Sequence, residues 1–217
     1  MLTVHAAPLV LPVGAAAVEQ GAVAVEGDRI VALGPYDEVT AAHPAARVRR
    51  WPGVIAPGLR QRHAEWLLTR CYHPDPREAD ELGGLPLRGA EFARLAQQLD
   101  APRWAGSVRR GLQQMLRYGT THIDGPFHDP AVRTAVARAG LVEVSAAAVP
   151  GVPPGEPGLD PFGEGRDLAG SVHAPLLVGA RADLAVFDVP DEAALVTTGA
   201  ASCVVTVLAG RLVYRRR

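Results

Sequence analysis

The chain has 217 residues, of which 48% are hydrophobic and 21% are charged. These proportions are those of a soluble globular protein, and the length suffices for one domain or for two small ones. A formal net charge of −1 does not favour nucleic acid or an anionic membrane as a partner. The sequence contains no lysine, so neither a Schiff-base lysine nor a carbamylated lysine can form.

The first residues and the cysteines together predict a cytoplasmic protein. Residues 1–10 lack a basic region ahead of the apolar ones, and Glu19 soon interrupts the apolar composition, so we expect neither a signal peptide nor a transmembrane helix. Cys71 and Cys203 lie far apart and form no Cys-x-x-Cys motif. This spacing favours two free thiols in a reducing compartment.

The first 56 residues are predicted to be rich in strands. Residues 22–34 hold two short β-branched runs joined by Gly27 and Asp28, which is typical of a hairpin. Residues 35–43 predict one or two helical turns. Residues 46–51 alternate between apolar and charged side chains and fit an exposed strand.

The stretch 54–66 carries the first candidate ligands. Its apolar run enters a turn at Pro57 and Gly58, and the segment that follows ends in His63 and Glu65. Strand residues two apart point to the same face. The spacing therefore predicts that this histidine and this carboxylate project together at the end of a strand.

Alternating helices and strands are predicted for the next part of the chain. Residues 91–99 have apolar residues at helical spacing, and a firmer helix is predicted over 102–118, with Asp100 near its start and Gly119 after its end. Its apolar stripe consists of Trp104, Val108, Leu112 and Met115.

A second pair of candidate ligands follows that helix. Residues 119–125 predict a short strand on which His122 and Asp124 alternate, with His128 just beyond it. Asp129 and Pro130 open another helix, which Gly140 closes, and residues 141–149 predict a third strand. Alternation of strand, helix and strand implies parallel pairing.

The last third of the chain begins with a change of composition. Residues 150–166 are so rich in proline and glycine that we expect a mobile linker without a core of its own. Residues 177–188 then lead into an apolar strand. Residues 204–214 predict a closing hairpin that turns at Ala209 and Gly210.

Three of these motifs resemble the amidohydrolase superfamily, the metal-dependent hydrolases that include imidazolonepropionase and the cyclic deaminases. The motifs are Pro57-Gly58-Leu59, Gly119-Thr120-Thr121, and Gly179-Ala180-Arg181-Ala182-Asp183 before an apolar strand. The resemblance implies an α/β protein made of a small β-sandwich, the composite amidohydrolase domain, and a truncated TIM-like barrel of about three strand-helix units. A complete barrel takes roughly 250 residues and eight such units.

The resemblance also implies domain boundaries. The sandwich would comprise residues 1–57 and 170–217, and the partial barrel residues 58–149. Residues 150–169 would form a Pro/Gly-rich linker at the point where the remaining barrel units are missing. The lysine, the later histidines and the final aspartate of the family site belong to that missing part.

The metal site implied by the resemblance is incomplete. The first barrel strand of the family ends in His-x-His, whose histidines hold the catalytic metal; His63 falls on the first of them and Glu65 occupies the second. A replacement site for zinc or another divalent ion could consist of His63, Glu65, His122 and Asp124, because nitrogen and oxygen ligands suit such ions. The alternative is that these residues are remnants, and that Arg60 and Arg62 pair with the carboxylates.

Two functions follow from these alternatives. The first is a degenerate amidohydrolase-like protein without hydrolytic activity that serves as a binding or interaction module. The second is a residual metal-dependent hydrolase or deaminase that acts on carbon–nitrogen bonds of a cyclic or heterocyclic substrate. Because three units cannot close a barrel, we expect a homodimer or a partner protein to cover the open edge, with residues 120–149 in the interface.

Overall fold

The computed structural model describes residues 2–145 and 157–216, which form a mixed α/β structure with two compact units. Unit 1 takes in the described parts of Met1–Arg60, Leu116–His122 and Asp160–Arg217. Unit 2 takes in those of Gln61–Met115 and Ile123–Leu159.

The strands, in chain order, are β1 (Leu2–Val10), β2 (Val18–Glu26), β3 (Arg29–Pro35), β4 (Arg47–Arg50), β5 (Val54–Pro57), β6 (Leu59–Gln61), β7 (Thr120–Gly125), β8 (Val142–Ser145), β9 (Leu184–Phe187), β10 (Cys203–Leu208) and β11 (Arg211–Arg215). The α-helices are α1 (Tyr36–Ala42), α2 (Ala64–Thr69), α3 (Ala79–Leu82), α4 (Gly89–Ala96), α5 (Ala101–Arg117), α6 (Pro130–Ala139) and α7 (Glu192–Thr198).

Unit 1 is built on one large sheet, whose strand order is β11-β10-β9-β5-β1-β2-β3, with β4 also paired to β1. Strands from the start and from the end of the chain therefore lie in the same sheet. The hairpin predicted over 22–34 is confirmed as β2 and β3, which pair antiparallel. The closing hairpin is confirmed as β10 and β11, and it turns at Ala209 and Gly210.

Both faces of the central strands of this sheet are covered by apolar side chains. Along β5, Val54 and Ala56 belong to one buried cluster whereas Ile55 belongs to another. Phe187 and its neighbours in β9 alternate in the same way. A strand buried on both faces needs an unbroken apolar run, which is what the sequence has at these positions.

Part of the segment predicted as a linker contributes to the core of unit 1. Phe162 and Leu168 are buried in the same cluster as Val54. The carboxylate of Asp160 accepts the backbone N–H of Phe162 at 2.9 Å and that of Ala200 at 3.0 Å. The bond between Asp160 and Ala200 joins residues forty positions apart, so composition alone did not indicate it. Residues 146–156 of the predicted linker and strand lie outside the described residues.

Unit 2 contains most of α5, which confirms the helix predicted over 102–118. The carboxylate of Asp100 accepts the N–H of Arg103 at 2.8 Å and so satisfies one of the free donors of the first turn. Val108, Leu112 and Met115 are buried, as the apolar stripe predicted.

A second sheet has three strands in the order β6-β7-β8. The helix predicted after Asp129 is confirmed as α6: the Asp129 carboxylate accepts the N–H groups of Ala131 and Val132, and Gly140 ends the helix. The strand predicted over 141–149 is present as β8, and residues 146–149 lie outside the described residues.

Two further expectations concern cysteines and membrane spans. Neither Cys71 nor Cys203 is part of a disulfide, as predicted, and both side chains are buried. In the part of the chain that the structure describes, no helix combines the length and the apolar composition that crossing a bilayer requires.

Candidate functional site

The first predicted ligand pair does not lie on a strand. Strand β6 ends at Gln61, His63 is the residue that precedes α2, and Glu65 lies inside that helix. The expectation that the two side chains alternate along one strand is therefore wrong. Glu65 is exposed, and its carboxylate accepts the Thr69 hydroxyl at 3.2 Å.

The Gln61 side chain explains why the strand stops. Its carboxamide oxygen accepts the backbone N–H of His63 at 3.0 Å, and its NH₂ group donates to the carbonyls of Gly158 at 3.3 Å and Leu159 at 3.1 Å. A glutamine that satisfies a backbone donor two residues ahead favours a turn over continued strand pairing. The chain consequently enters α2 at Ala64.

The second predicted pair lies on a strand as expected. His122 and Asp124 are both in β7, where His122 is half-buried and Asp124 is 4% exposed. The Nδ1 atom of His122 lies 2.9 Å from the Thr121 hydroxyl. Its ring lies against that of His173, with ring centroids 4.8 Å apart.

The surroundings of His122 favour its neutral form. Burial is the largest cause that lowers the pKa of His122 to about 4, and electrostatic interactions with His173 and with two arginines contribute in the same direction. The two arginines are Arg181 and Arg60. Arg181 is itself paired with the Asp183 carboxylate at 3.4 Å, so burial is the main reason why the neutral form of His122 is favoured.

The predicted ligands do not fit a metal centre. Among residues 2–145 and 157–216, which include all four of them, no group of three or more His, Cys, Asp or Glu residues is placed to hold a metal ion. A catalytic zinc needs three protein ligands and an open position. His128, the fifth candidate, is exposed and lies beyond the end of β7.

A polar network in unit 2 was not predicted from the sequence. The Glu78 carboxylate accepts the Tyr72 hydroxyl at 2.7 Å, the Asp75 backbone N–H at 2.7 Å and the Arg103 guanidinium at 2.8 Å. Tyr72 is completely buried. Asp75 and Glu78 form a capping box three residues apart, a signal that could have been read from the sequence.

Hydrogen bonding determines the ionisation of Glu78. Burial raises the pKa of its carboxyl, but the bonds from the Asp75 N–H, the Tyr72 hydroxyl and Arg103 outweigh burial and lower the pKa below its ordinary value. Nearby, the Arg110 guanidinium donates to the His73 carbonyl at 2.8 Å and pairs with the Asp75 carboxylate at 3.2 Å. The network thus ties residues 72–78 to α5 within unit 2.

Comparison with protein families finds one match. Residues 21–46, which contain most of β2 together with β3 and α1, match the family described as "Imidazolonepropionase-like composite domain, bacteria". The resemblance predicted from the sequence is confirmed by this match. A comparison with curated proteins finds no match.

Several solved structures are similar to this chain. The ochratoxinase of A. niger is 16% identical, with a TM-score of 0.45 and coverage of 68% of this chain and 32% of its own. An adenosine deaminase from Xanthomonas campestris with bound zinc is 19% identical, with a TM-score of 0.45 and coverage of 65% and 33%. E. coli guanine deaminase is 16% identical, with a TM-score of 0.48 and coverage of 67% and 36%. The chain spans about a third of the length of each.

Proposed function

We propose that this chain, which carries an imidazolonepropionase-like composite domain segment over residues 21–46, is an amidohydrolase-like protein that acts as a binding or interaction module and does not hydrolyse a substrate. In this proposal residues 1–57 and 170–217 form a β-sandwich, and residues 58–149 form a truncated TIM-like barrel.

One observation carries the proposal. The strand that should present the first metal ligands ends at Gln61, and the side chain of Gln61 itself holds the turn. His63 and Glu65 therefore leave the strand before either can serve as a strand-end ligand.

The proposal is tested by measuring metal content and activity together. We expect purified protein to carry far less than one zinc or other divalent ion per chain. Dialysis against a chelator should leave its thermal midpoint unchanged, since no fold element depends on a metal in this proposal. Hydantoin, a dihydropyrimidine and an aminated heterocycle should be turned over no faster than in buffer.

The alternative function predicts the opposite results for metal content and for activity. A metal-dependent hydrolase or deaminase would hold a stoichiometric ion and would act on a carbon–nitrogen bond of one of these substrates. Loss of both ion and activity in His63→Ala, with both retained in the control variant Ala16→Ser in an exposed loop, would establish that alternative.

We also expect a homodimer whose interface includes β8. This strand is at the end of the three-stranded order β6-β7-β8, and an uncovered strand edge invites pairing with another chain. Val144 is 8% exposed, so a charge at that position would disturb the core of unit 2 and would not report on an interface. Ser145 is exposed on the same strand and is the better position for a test.

Light scattering at several concentrations measures this association. Wild type should be a dimer that buries more than about 1,200 Å² in total, and Ser145→Lys should shift it toward the monomer. Ala16→Lys, which adds the same charge on an exposed loop of unit 1, should leave the dimer intact. A wild-type protein that stays monomeric at high concentration, or a dimer indifferent to Ser145→Lys, would contradict the expectation.

A further inference from the structure

A cavity of about 220 Å³ lies in unit 1, and we call it the Arg50 cavity. It is lined by residues of β1, β2 and β4 and by the first residue of α1. Ala6 and Gly21 contribute backbone and little side chain, whereas Tyr36 and Trp51 contribute aromatic rings. The geometry points to a binding site for a small aromatic carboxylate, which is separate from the predicted metal ligands and independent of the proposed function.

Arg50 supplies a cation whose hydrogen-bond donors remain available. Its guanidinium carbon lies 4.3 Å from the centre of the Tyr36 ring. Stacking occupies the face of the guanidinium plane, but the N–H donors point outward in that plane and stay free for a planar anion. Among residues 2–145 and 157–216, no side-chain hydrogen bond or ion pair engages this guanidinium.

The backbone holds Arg50 at the cavity. In the parallel pairing of β1 and β4, Ala6 lies opposite Arg50, and the next residue, Trp51, donates its backbone N–H to the Ala6 carbonyl at 2.8 Å. The Trp51 indole N–H is itself fixed, because it donates to His5 Nδ1 at 3.0 Å. The cation and one aromatic wall are therefore positioned before any ligand arrives, which reduces the entropy cost of binding.

Gln20 brings a polar group to the cavity through an unusual backbone conformation. Its φ is +43°, in the left-handed region that residues other than glycine seldom adopt. Gln20 has no partner in the pairing of β1 with β2, in which Ala7 pairs with Gly21 and Leu9 pairs with Glu19. Pro8, which lies opposite Gln20, has no backbone N–H to donate. The exposed Gln20 carboxamide and the Tyr36 hydroxyl hydrogen bond to none of the described residues.

The size and the lining of the Arg50 cavity indicate which class of small molecule it would bind. The cavity combines aromatic and aliphatic side chains with the polar groups of Arg50, Gln20 and Tyr36, a mixture that is typical of a small-molecule site. The volume is below the roughly 300 Å³ at which sites for drug-sized ligands begin, so a single ring with one substituent is the expected size. Flat aromatic walls favour a ring, and the free guanidinium fork favours a carboxylate bound through two N–H donors.

The charge around the cavity agrees with an anion. The other arginines of β4, Arg47 and Arg49, lie an odd number of positions from Arg50 and so point to the opposite face of the strand. The Arg215 guanidinium carbon lies 5.6 Å from the centre of the Trp51 ring. This second positive charge close to a partly enclosed cavity raises the local concentration of an anion.

Calorimetric titration with benzoate tests this inference. We expect saturable binding to the full chain with a Kd on the order of 1 mM, as befits so small a ligand. Arg50→Gln should weaken benzoate binding at least about tenfold, because it removes the charge-assisted bonds. Arg47→Gln, the matched control, should change the Kd less than about twofold, since residues three apart on a strand point to opposite faces.

Two further measurements complete the test. Benzamide, a neutral compound of the same shape, should show no saturation, and inorganic phosphate should bind more weakly than benzoate. Tyr36→Phe removes only a hydroxyl and should weaken benzoate binding about threefold, so it serves if Arg50→Gln is poorly folded. Absence of saturable benzoate binding would overturn the inference, as would equal weakening by Arg47→Gln or phosphate binding as tightly as benzoate.

Discussion

Gly53→Ala is expected to destabilise unit 1 by about 2 to 5 kcal/mol. Gly53 joins β4 to β5 with φ +64°, and an added Cβ would lie 2.2 Å from the Phe187 carbonyl oxygen and 2.6 Å from that of Val189. The colliding atoms are backbone atoms of and after β9, so relief requires movement of the chain and not merely of a side chain. Urea unfolding followed by circular dichroism measures the loss.

A matched control separates the two causes of the expected stability loss, which are the steric collision of the added Cβ and the left-handed backbone conformation. Gly27 in the turn between β2 and β3 has φ +60°, but nothing lies within 4 Å of its added Cβ. Gly27→Ala should therefore cost only about 1 to 2 kcal/mol, the penalty of a left-handed alanine. Equal losses in the two variants would mean that β9 can move away from Gly53 without cost.

Glu78→Gln is expected to destabilise unit 2 by about 1.5 to 3 kcal/mol at neutral pH. The substitution keeps the shape of the side chain but removes the charge that accepts bonds from Tyr72, Asp75 and Arg103. The buried Tyr72 hydroxyl and the Arg103 guanidinium would both lose a charged partner. Glu81→Gln, an exposed carboxylate on α3, should change stability by less than about 0.5 kcal/mol.

The effect of Glu78→Gln should depend on pH with a definite sign. The pKa of the Glu78 carboxyl is lower in the folded protein than its ordinary value, because hydrogen bonds to the carboxylate outweigh burial. Its contribution to stability is therefore complete above the ordinary pKa of a glutamate and is lost as the pH falls through the folded value. The stabilities of wild type and Glu78→Gln should therefore converge as the pH falls into the acid range. A stability difference between the two that stays constant or grows on acidification would contradict the lowered pKa of Glu78.

Much of the fold could be predicted from the sequence because its signals are local. Helix α6 begins after the Asp129 cap with Pro130 in its first turn and ends at Gly140, and all three signals lie within the helix or next to it. The hairpins of β2 with β3 and of β10 with β11 likewise depend on turn residues between apolar runs. Such elements need no information from distant residues.

The candidate site could be predicted only in part, because it depends on distant residues. The apolar run and the Pro57-Gly58 turn indicate a strand near His63, but that strand ends at Gln61, whose side chain bonds to carbonyls nearly one hundred positions away. His173 lies against His122 although no spacing in the sequence connects the two histidines.

Tertiary structure also decided which polar groups form networks and which segments are buried. The capping box of Asp75 and Glu78 is a local pattern, whereas the arrival of Arg103 from α5 is not. Residues 160–168 look like linker by composition, yet Phe162 is buried because the Asp160 carboxylate binds the backbone at Ala200. Periodicity and capping act over a few residues, and the sequence by itself determined the elements they specify. Side-chain partners far apart in the chain meet only when the chain folds, and for that reason the tertiary structure alone decided where β6 ends and what surrounds His122.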